Sequence, residues 1–263
     1  MIGLANPGRV KREVYDFYCN YPYPSIPSIF SKTHRQLMRR IFLLAGYRSV
    51  RGLRVLDAGC GTGEKSVYLA LNGAEVTAVD FSPSQLCIAK SLADKYNVEI
   101  DFVQADISNV DLKKKFDFVL CLGVLHHMPD FHEGFCNVSR HTEEGGRIVL
   151  GLYNKYGRLR YRIERKLLRI LNGNDPNKIM NFIMNSPFAF PLRTASRQTL
   201  YDRYAVPYET YHTLEEVRQL FSKNKFSVLG IHPRYVYSDL VSQLVWLLSG
   251  KSFFFVFGEK KEL

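Results

Sequence analysis

Val55-Leu56-Asp57-Ala58-Gly59-Cys60-Gly61-Thr62-Gly63 reads as an apolar strand running into three alternating glycines, and Glu64-Lys65-Ser66-Val67-Tyr68-Leu69-Ala70 then opens a helix. Glycine at every second position lets a ligand lie against bare backbone, because no Cβ stands in the way. The turn sits at the carboxyl end of a strand, where open α/β sheets bind their ligands. Strand and helix patterns go on alternating from about residue 53 to residue 153. Strands are expected at 54–57, 75–80, 99–104, 116–122 and 146–153, and helices at 64–71, 83–96 and 131–140. Such alternation predicts a mostly parallel sheet with helices on both faces.

The glycine spacing separates candidate cofactors. A dinucleotide fingerprint is G-x-G-x-x-G, with a helix N-terminus aimed at a pyrophosphate. Here the pattern is D-x-G-x-G-x-G, and the acid, Asp57, would repel a pyrophosphate. The same carboxylate suits a ligand carrying an ammonium and a sulfonium, and there is no G-x-x-x-x-G-K-[ST] phosphate loop. The favoured ligand is S-adenosylmethionine. Glu75-Val76-Thr77-Ala78-Val79-Asp80 is a β-branched strand ending in a second carboxylate, where a doubly wound nucleotide site places its ribose-binding acid. Asp80 would accept from both ribose hydroxyls; its plainer role is to cap the helix that starts near Pro83.

Alternation stops after Tyr153 and returns with the capping box Thr213-Leu214-Glu215-Glu216, a helix to about Lys223, and strands near 226–231 and 253–257. The expected fold is thus α/β: a Rossmann-like doubly wound sheet of about seven strands, mostly parallel with the last antiparallel. An N-terminal helical arm (1–50) precedes the core (51–153), a helical cap insert (154–211) follows the fifth strand, and 212–263 completes the sheet. Within the arm, Tyr18-Cys19-Asn20-Tyr21-Pro22-Tyr23-Pro24 predicts an extended segment whose rings pack on the core. Leu240 to Leu248 reads as a buried helix and Phe253 to Phe257 as an interior strand. Gly250-Lys251-Ser252 interrupts this apolar region, so no membrane span is expected.

With 46% hydrophobic residues among 263, the chain is ample for a folded core. Five cysteines without framework spacing, and no apolar run in the first residues, point to a reducing, cytoplasmic setting, with peripheral membrane contact open. The net charge of +11 is compatible with an acidic substrate, an anionic membrane surface or RNA.

The set Val55 to Gly63, Asp80, Ala105-Asp106-Ile107 and Gly123-Val124-Leu125-His126-His127-Met128-Pro129-Asp130 resembles the class I S-adenosylmethionine-dependent methyltransferases, in particular the ubiquinone/menaquinone-biosynthesis type of domain. The resemblance is strong over residues 52–153 and weak over the last part of the chain. It implies that Asp57, Gly59, Gly61 and Gly63 line the methionine end of the cofactor and that Asp80 takes the ribose. It further implies that Phe81 packs on the adenine, Asp106 accepts from the adenine amino group with Ile107 beside the ring, and Leu122 and Gly123 offer backbone near the amino-acid moiety.

Methyl transfer needs a base only if the acceptor carries a proton to be lost. His126 and His127, after the fourth strand, are the candidate bases, or else walls of the pocket. The Asp/Asn-Pro-Pro-Tyr/Phe segment of many amino-group DNA methyltransferases is missing. Cys121, His126, His127, His132 and Cys136 match no familiar zinc spacing, so no metal is expected. Residues 156–171 are amphipathic: Leu159, Ile163, Leu167, Ile170 and Leu171 form one face and arginines crowd the rest. This helix is expected to cap the core with its basic face in solvent; contact of Arg158 to Arg169 with anionic lipid or RNA is the sharper alternative. Tyr18, Tyr21, Tyr153, Tyr204 and Tyr208 are candidate acceptor contacts, or core packing. The expected function is methyl transfer to a small or lipid-like acceptor at oxygen or carbon. The alternatives are RNA or tRNA methylation, cofactor binding without catalysis, and another use of the cofactor such as aminopropyl transfer.

Overall fold

The computed structural model describes residues 6–23, 29–193, 195–233, 239–250 and 252–262, with the Asp239 side chain left out; Pro24 of the tyrosine-proline segment and Lys251 lie outside them. In chain order the elements are α1 (Pro7–Asn20), α2 (Lys32–Leu44), β1 (Arg54–Ala58), α3 (Glu64–Leu71), β2 (Glu75–Asp80), α4 (Pro83–Tyr96), β3 (Asp101–Gln104), β4 (Phe116–Leu122), α5 (Phe131–Arg140) and β5 (Thr142–Tyr153). There follow α6 (Leu159–Asn172), α7 (Pro176–Asn185), the four-residue α8 (Arg197–Leu200), α9 (Leu214–Lys223), β6 (Phe226–His232), α10 (Asp239–Ser249) and β7 (Phe253–Lys260).

The seven strands form one sheet in the order β3-β2-β1-β4-β5-β7-β6, and β7 runs antiparallel to both of its neighbours. The order reverses between β1 and β4, whose carboxyl ends carry the glycine turn and Gly123. This is the topological switch point at which doubly wound sheets bind ligands. Local signals agree with the elements they open: Ser82 accepts from the backbone N–H of Gln85 at the start of α4, and Thr213 and Glu216 form a reciprocal capping box on α9. Strand β5 begins earlier than its apolar run, because Phe116 pairs with Thr142 across a register shift.

One face of the sheet packs on α5, α9 and α10 through Phe135, Phe221, Phe226, Trp246 and Phe254; the other packs on α2 through Met38 and Ile41. A third apolar cluster lies away from both faces. It joins Val10, Val14, Phe17 and Tyr18 of α1 to Leu168, Ile179, Met180, Ile183 and Tyr204 of the region after β5. Two stretches far apart in sequence thus share one small core.

Three expectations change here. The segment around Tyr18 is the end of a helix: Asn6 caps it, Pro7 starts it, and Val10, Val14, Phe17 and Tyr18 repeat at helical spacing. Its rings pack on the core as expected, where Tyr18 meets His127 edge-on with centroids 5.8 Å apart, and also on the insert, where Tyr21 stacks on Tyr201 at 4.4 Å. Helix α10 buries Trp246 and leaves Leu240, Leu244 and Leu248 exposed. Helix α6 faces the opposite way from the one expected: Arg165 and Leu168 are buried, and Ile163, Leu167, Ile170 and Leu171 are exposed.

Phe135 is fully buried, 5.2 Å from the Phe221 ring centroid, so Phe135→Ala leaves a large void between sheet and helices. We expect it to lower unfolding free energy by about 3–5 kcal/mol, measured by urea denaturation.

Candidate functional site

The switch point opens into a cavity of about 380 Å³, within the range of small-molecule sites. Its floor is the glycine turn. Gly59 has φ +77°, and a Cβ there would meet Val124 Cγ2 at 2.3 Å. Gly61 has φ +57°, and a Cβ there would meet no protein atom within 4 Å. Both glycines line the cavity; at Gly59 packing against Val124 also excludes a side chain, whereas at Gly61 the missing side chain leaves open space. Gly63, at φ +82°, caps α3 and packs against Ala89, outside the cavity lining.

Behind the turn, Asp80 Oδ2 accepts from the Gly61 N–H at 2.9 Å and Oδ1 from the Ser82 N–H at 2.9 Å. Burial raises its pKa, and these two N–H donors oppose the rise. Each carboxylate oxygen has a second lone pair, so Asp80 can still accept from a ligand diol. Asp57 is fully buried beneath the turn and does not line the cavity. Its Oδ2 accepts from Ser66 Oγ at 2.7 Å; its Oδ1 has no hydrogen-bond partner and lies 4.0 Å from Lys65 Nζ.

At one end of the cavity stand Phe81, Ala105, Asp106 and Ile107. Asp106 Oδ1 accepts from the Ser108 N–H at 2.8 Å, and Lys11 Nζ from α1 sits 3.2 Å from Oδ2. Burial would raise the Asp106 pKa, but Ser108 and Lys11 outweigh it and the net shift is downward. At the other end are Leu122, Gly123, His127, Tyr18, Tyr153 and Asp202. The Tyr18 hydroxyl donates to Asp202 Oδ1 at 2.9 Å, and the Tyr153 hydroxyl reaches Oδ2 at 3.5 Å. Asp202 lies on a single π-helical turn, Tyr201–Ala205, an irregularity frequent at functional sites.

The two histidines separate. His127 lines the cavity, and its Nδ1–H donates to the Tyr208 carbonyl at 2.9 Å, so the neutral ring keeps its lone pair on Nε2. His126 is fully buried, does not line the cavity, and has no hydrogen-bond partner at either ring nitrogen. Its ring lies on Tyr153, with centroids 3.7 Å apart. Arg158 covers the Tyr153 ring at 3.4 Å and pairs with Glu209 Oε2 at 3.1 Å, while Arg165 pairs with Glu209 Oε1 at 3.1 Å. Burial opposes the charge on Glu209, but the two arginines outweigh it and lower its pKa.

Of the residues singled out from sequence, Gly59, Gly61, Asp80, Phe81, Asp106, Ile107, Leu122, Gly123, His127, Tyr18 and Tyr153 share this cavity. Asp57, Gly63, His126, Tyr21, Tyr204 and Tyr208 do not line it. Tyr204 donates to Glu164 at 2.9 Å, and Tyr208 contributes its carbonyl to His127. Lys11, Tyr23, Lys65 and Asp202 also line the cavity, and of these only Tyr23, in the tyrosine-proline segment, carries a signal in the sequence. Among the described residues no group of three or more His, Cys, Asp or Glu could hold a metal ion.

Sheet order, switch-point glycines and the strand-end acid define the fold of a class I methyltransferase. Residues 56–150 match the family model described as a methyltransferase domain. A ubiquinone biosynthesis O-methyltransferase from Rickettsia prowazekii is 32% identical over 111 residues, which is 42% of this chain and 44% of that protein. An uncharacterised Synechococcus protein is 37% identical over 125 residues, 46% of this chain and 30% of that one. The chain thus spans less than half the length of these curated relatives. Among solved structures, magnesium protoporphyrin IX methyltransferase from Synechocystis PCC 6803 with bound S-adenosylmethionine superposes with a TM-score of 0.58 at 18% identity, covering 96% of this chain and 97% of that one. A 1,6-didemethyltoxoflavin-N1-methyltransferase from Burkholderia thailandensis gives 0.61 at 16% identity, covering 100% and 93%. These likenesses show the fold.

Two predictions follow from the site's geometry and electrostatics. Gly59→Ala should lower the melting temperature, because its Cβ meets Val124. Gly61→Ala should change melting less and weaken ligand binding more, as calorimetry would show. Second, burial lowers the pKa of His126 well below 6.5, lowers His127, His34 and His141, and takes His212 to about 4. The unfolded chain then binds more protons than the folded one below 6.5. Stability should fall as pH drops from there toward 4, by up to about 1.4 kcal/mol per pH unit for each histidine held neutral. A melting temperature that stayed flat from about pH 7 to 5 would contradict this.

Proposed function

We propose that the protein transfers a methyl group from S-adenosylmethionine to an apolar small-molecule or lipid-like acceptor, at oxygen or carbon. The observation that carries this reading is one cavity with bare backbone at Gly61, the Asp80 carboxylate behind it, and a neutral histidine with a free lone pair at the far end. The curated relative named for ubiquinone O-methylation supports a small-molecule acceptor.

The residues present fit the cofactor. A side chain at Gly61 would stand in the cavity, and a carboxylate oxygen of Asp57 is buried beneath the turn without a hydrogen-bond partner. Asp80 would hold the ribose diol. Phe81 and Ile107 would sandwich the adenine, and Asp106 would accept from its amino group in competition with Lys11. Lys65 suits the amino-acid carboxylate, and Asp57 and Glu64 favour the ammonium electrostatically. Leu122 and Gly123 border that end. When bound, the cofactor supplies a methyl group activated by a sulfonium, with a neutral leaving group.

His127 takes the acceptor's proton at Nε2. Burial keeps the ring neutral, while Asp202 pulls its pKa the other way and steadies the imidazolium once formed. Asp202, held by Tyr18 and Tyr153, orients the acceptor's polar end. Leu37, Met128, Phe253 and Phe255 close the remaining wall and exclude water. His126 serves as the support on which Tyr153 lies, and Tyr21, Tyr204 and Tyr208 serve packing. The arm (1–50) and insert (154–211) act as a lid on the core (51–153), which 212–263 completes; α1 and the insert already share a core of their own. The free thiols belong with a cytoplasmic setting.

RNA methylation is weaker than it looks from sequence. Arg158 and Arg165 are buried against Glu209, and Arg169 donates to the Val206 carbonyl at 2.7 Å, so these cations are turned away from solvent phosphates.

Calorimetric titration with S-adenosylmethionine and its demethylated product tests the reading, with tritiated-methyl transfer to small-molecule and lipid extracts as the activity assay. Asp80→Ala should abolish cofactor binding. His127→Gln should keep it and lower kcat by about 10²–10⁴-fold. Normal cofactor affinity in Asp80→Ala, or full turnover in His127→Gln, defeats the respective assignment.

A further inference from the structure

Helix α6 presents to solvent the face that an amphipathic helix normally buries. Leu159, Ile163, Leu167, Ile170 and Leu171 recur at one-turn spacing along it, and Ile163 is 54% exposed, Ile170 69% and Leu171 65%. The opposite face is anchored: Leu168 is buried in the apolar cluster shared with α1, and Arg165 donates to the Arg203 carbonyl at 3.1 Å and the Val206 carbonyl at 2.7 Å, and pairs with Glu209. The helix cannot roll its aliphatic stripe inward without stripping Glu209 of a buried partner.

The charges beside the stripe are of one sign. Arg160 and Lys166 are exposed at its edges, and Arg162 sits over the Tyr211 ring at 4.7 Å. The one acid of the helix, Glu164, is occupied by Arg160 at 2.7 Å and by the Tyr204 hydroxyl at 2.9 Å. Farther along the same insert, Phe188 is 91% exposed. Aliphatic side chains flanked by lysine and arginine match a bilayer surface, whose acyl chains take the former and whose anionic headgroups take the latter. A helix of 14 residues is about 21 Å long. It is too short to span a bilayer, so it would lie in the interfacial plane.

We propose that the outward face of α6 docks the protein on an anionic lipid surface, with Ile163, Leu167 and Ile170 inserted among the acyl chains and Arg160 and Lys166 on the headgroups. This is independent of the methyl-transfer reading, and would bring the cavity to a bilayer in which an apolar acceptor dissolves.

The test is co-sedimentation of the full chain with vesicles of phosphatidylcholine alone and of phosphatidylcholine mixed equally with phosphatidylglycerol. The chain should sediment with the mixed vesicles, weakly or not at all with phosphatidylcholine, and less as salt rises. The double variant Ile163→Asp/Ile170→Asp should lose at least about tenfold in vesicle affinity. Its melting temperature and its affinity for S-adenosylmethionine should stay as in the parent chain. Arg160→Glu/Lys166→Glu should weaken binding to the mixed vesicles alone. Sedimentation of the aspartate variant like the parent, or no binding to the mixed vesicles, overturns the proposal. So does a parent dimer, seen by light scattering, that the aspartate variant converts to monomer without any vesicle binding. Retention on RNA with indifference to vesicles overturns it as well.

Discussion

Glu209, held between Arg158 and Arg165 with both oxygens engaged, is the interaction on which the upper half of this protein depends. Both arginines and the acid are nearly inaccessible, so each charge is tolerated only because the others are present. Two consequences run in opposite directions from it. Inward, Arg158 lies on Tyr153, Tyr153 lies on His126, and His127 is adjacent, so the position of the cavity's far wall descends from an ion pair outside it. Outward, Arg165 fixes which face of α6 meets the core and thereby which face meets solvent.

The cavity has two chemically distinct ends. The end at Asp80 and Gly61 is built from backbone donors and strand termini, which hold their places because the sheet holds them. The end at Asp202 and His127 is built from side chains delivered by separate segments: Tyr18 from α1, Tyr153 from β5, Asp202 from the π-helical turn. A rigid end and an assembled end are what the proposed reading requires, a shared cofactor at the one and a variable acceptor at the other.

How far the sequence was legible follows the range of the interactions involved. The seven-stranded sheet could be read because strands β1, β2 and β4 are mostly apolar runs leading into marked residues, and a sheet buried on both faces demands such runs. Asp80, Asp106 and Gly123, which line the cavity, could be named because their positions are set by strand ends. The helical arm is legible from Asn6, Pro7 and the Val10–Val14–Phe17 spacing; where α1 ends is not, because the tyrosines and prolines from Tyr18 onward suit extended chain equally well. The apolar stripe of α6 was seen and its direction misjudged. Periodicity reports that a helix has two faces and says nothing of which one is buried, and here an acid 44 positions beyond Arg165 decides it. Asp202 and Lys65 met the cavity through tertiary placement, which single-residue patterns do not carry.

Strand β7 lies between β5 and β6, although both precede it in the chain. Sheet assembly therefore cannot proceed by adding each new strand to a growing edge. The open side of β5 must wait while the whole insert, α9 and β6 are synthesised, and β6 has no neighbour in the sheet until then. Strands β6 and β7 are antiparallel neighbours with no other strand between them in the chain, so they can pair first and then add as a unit to β5, a closure across the whole insert whose entropy is spent before its ladder bonds form. Until that closure the β5 edge stays unpaired, and an unpaired strand edge is a template for association with another chain.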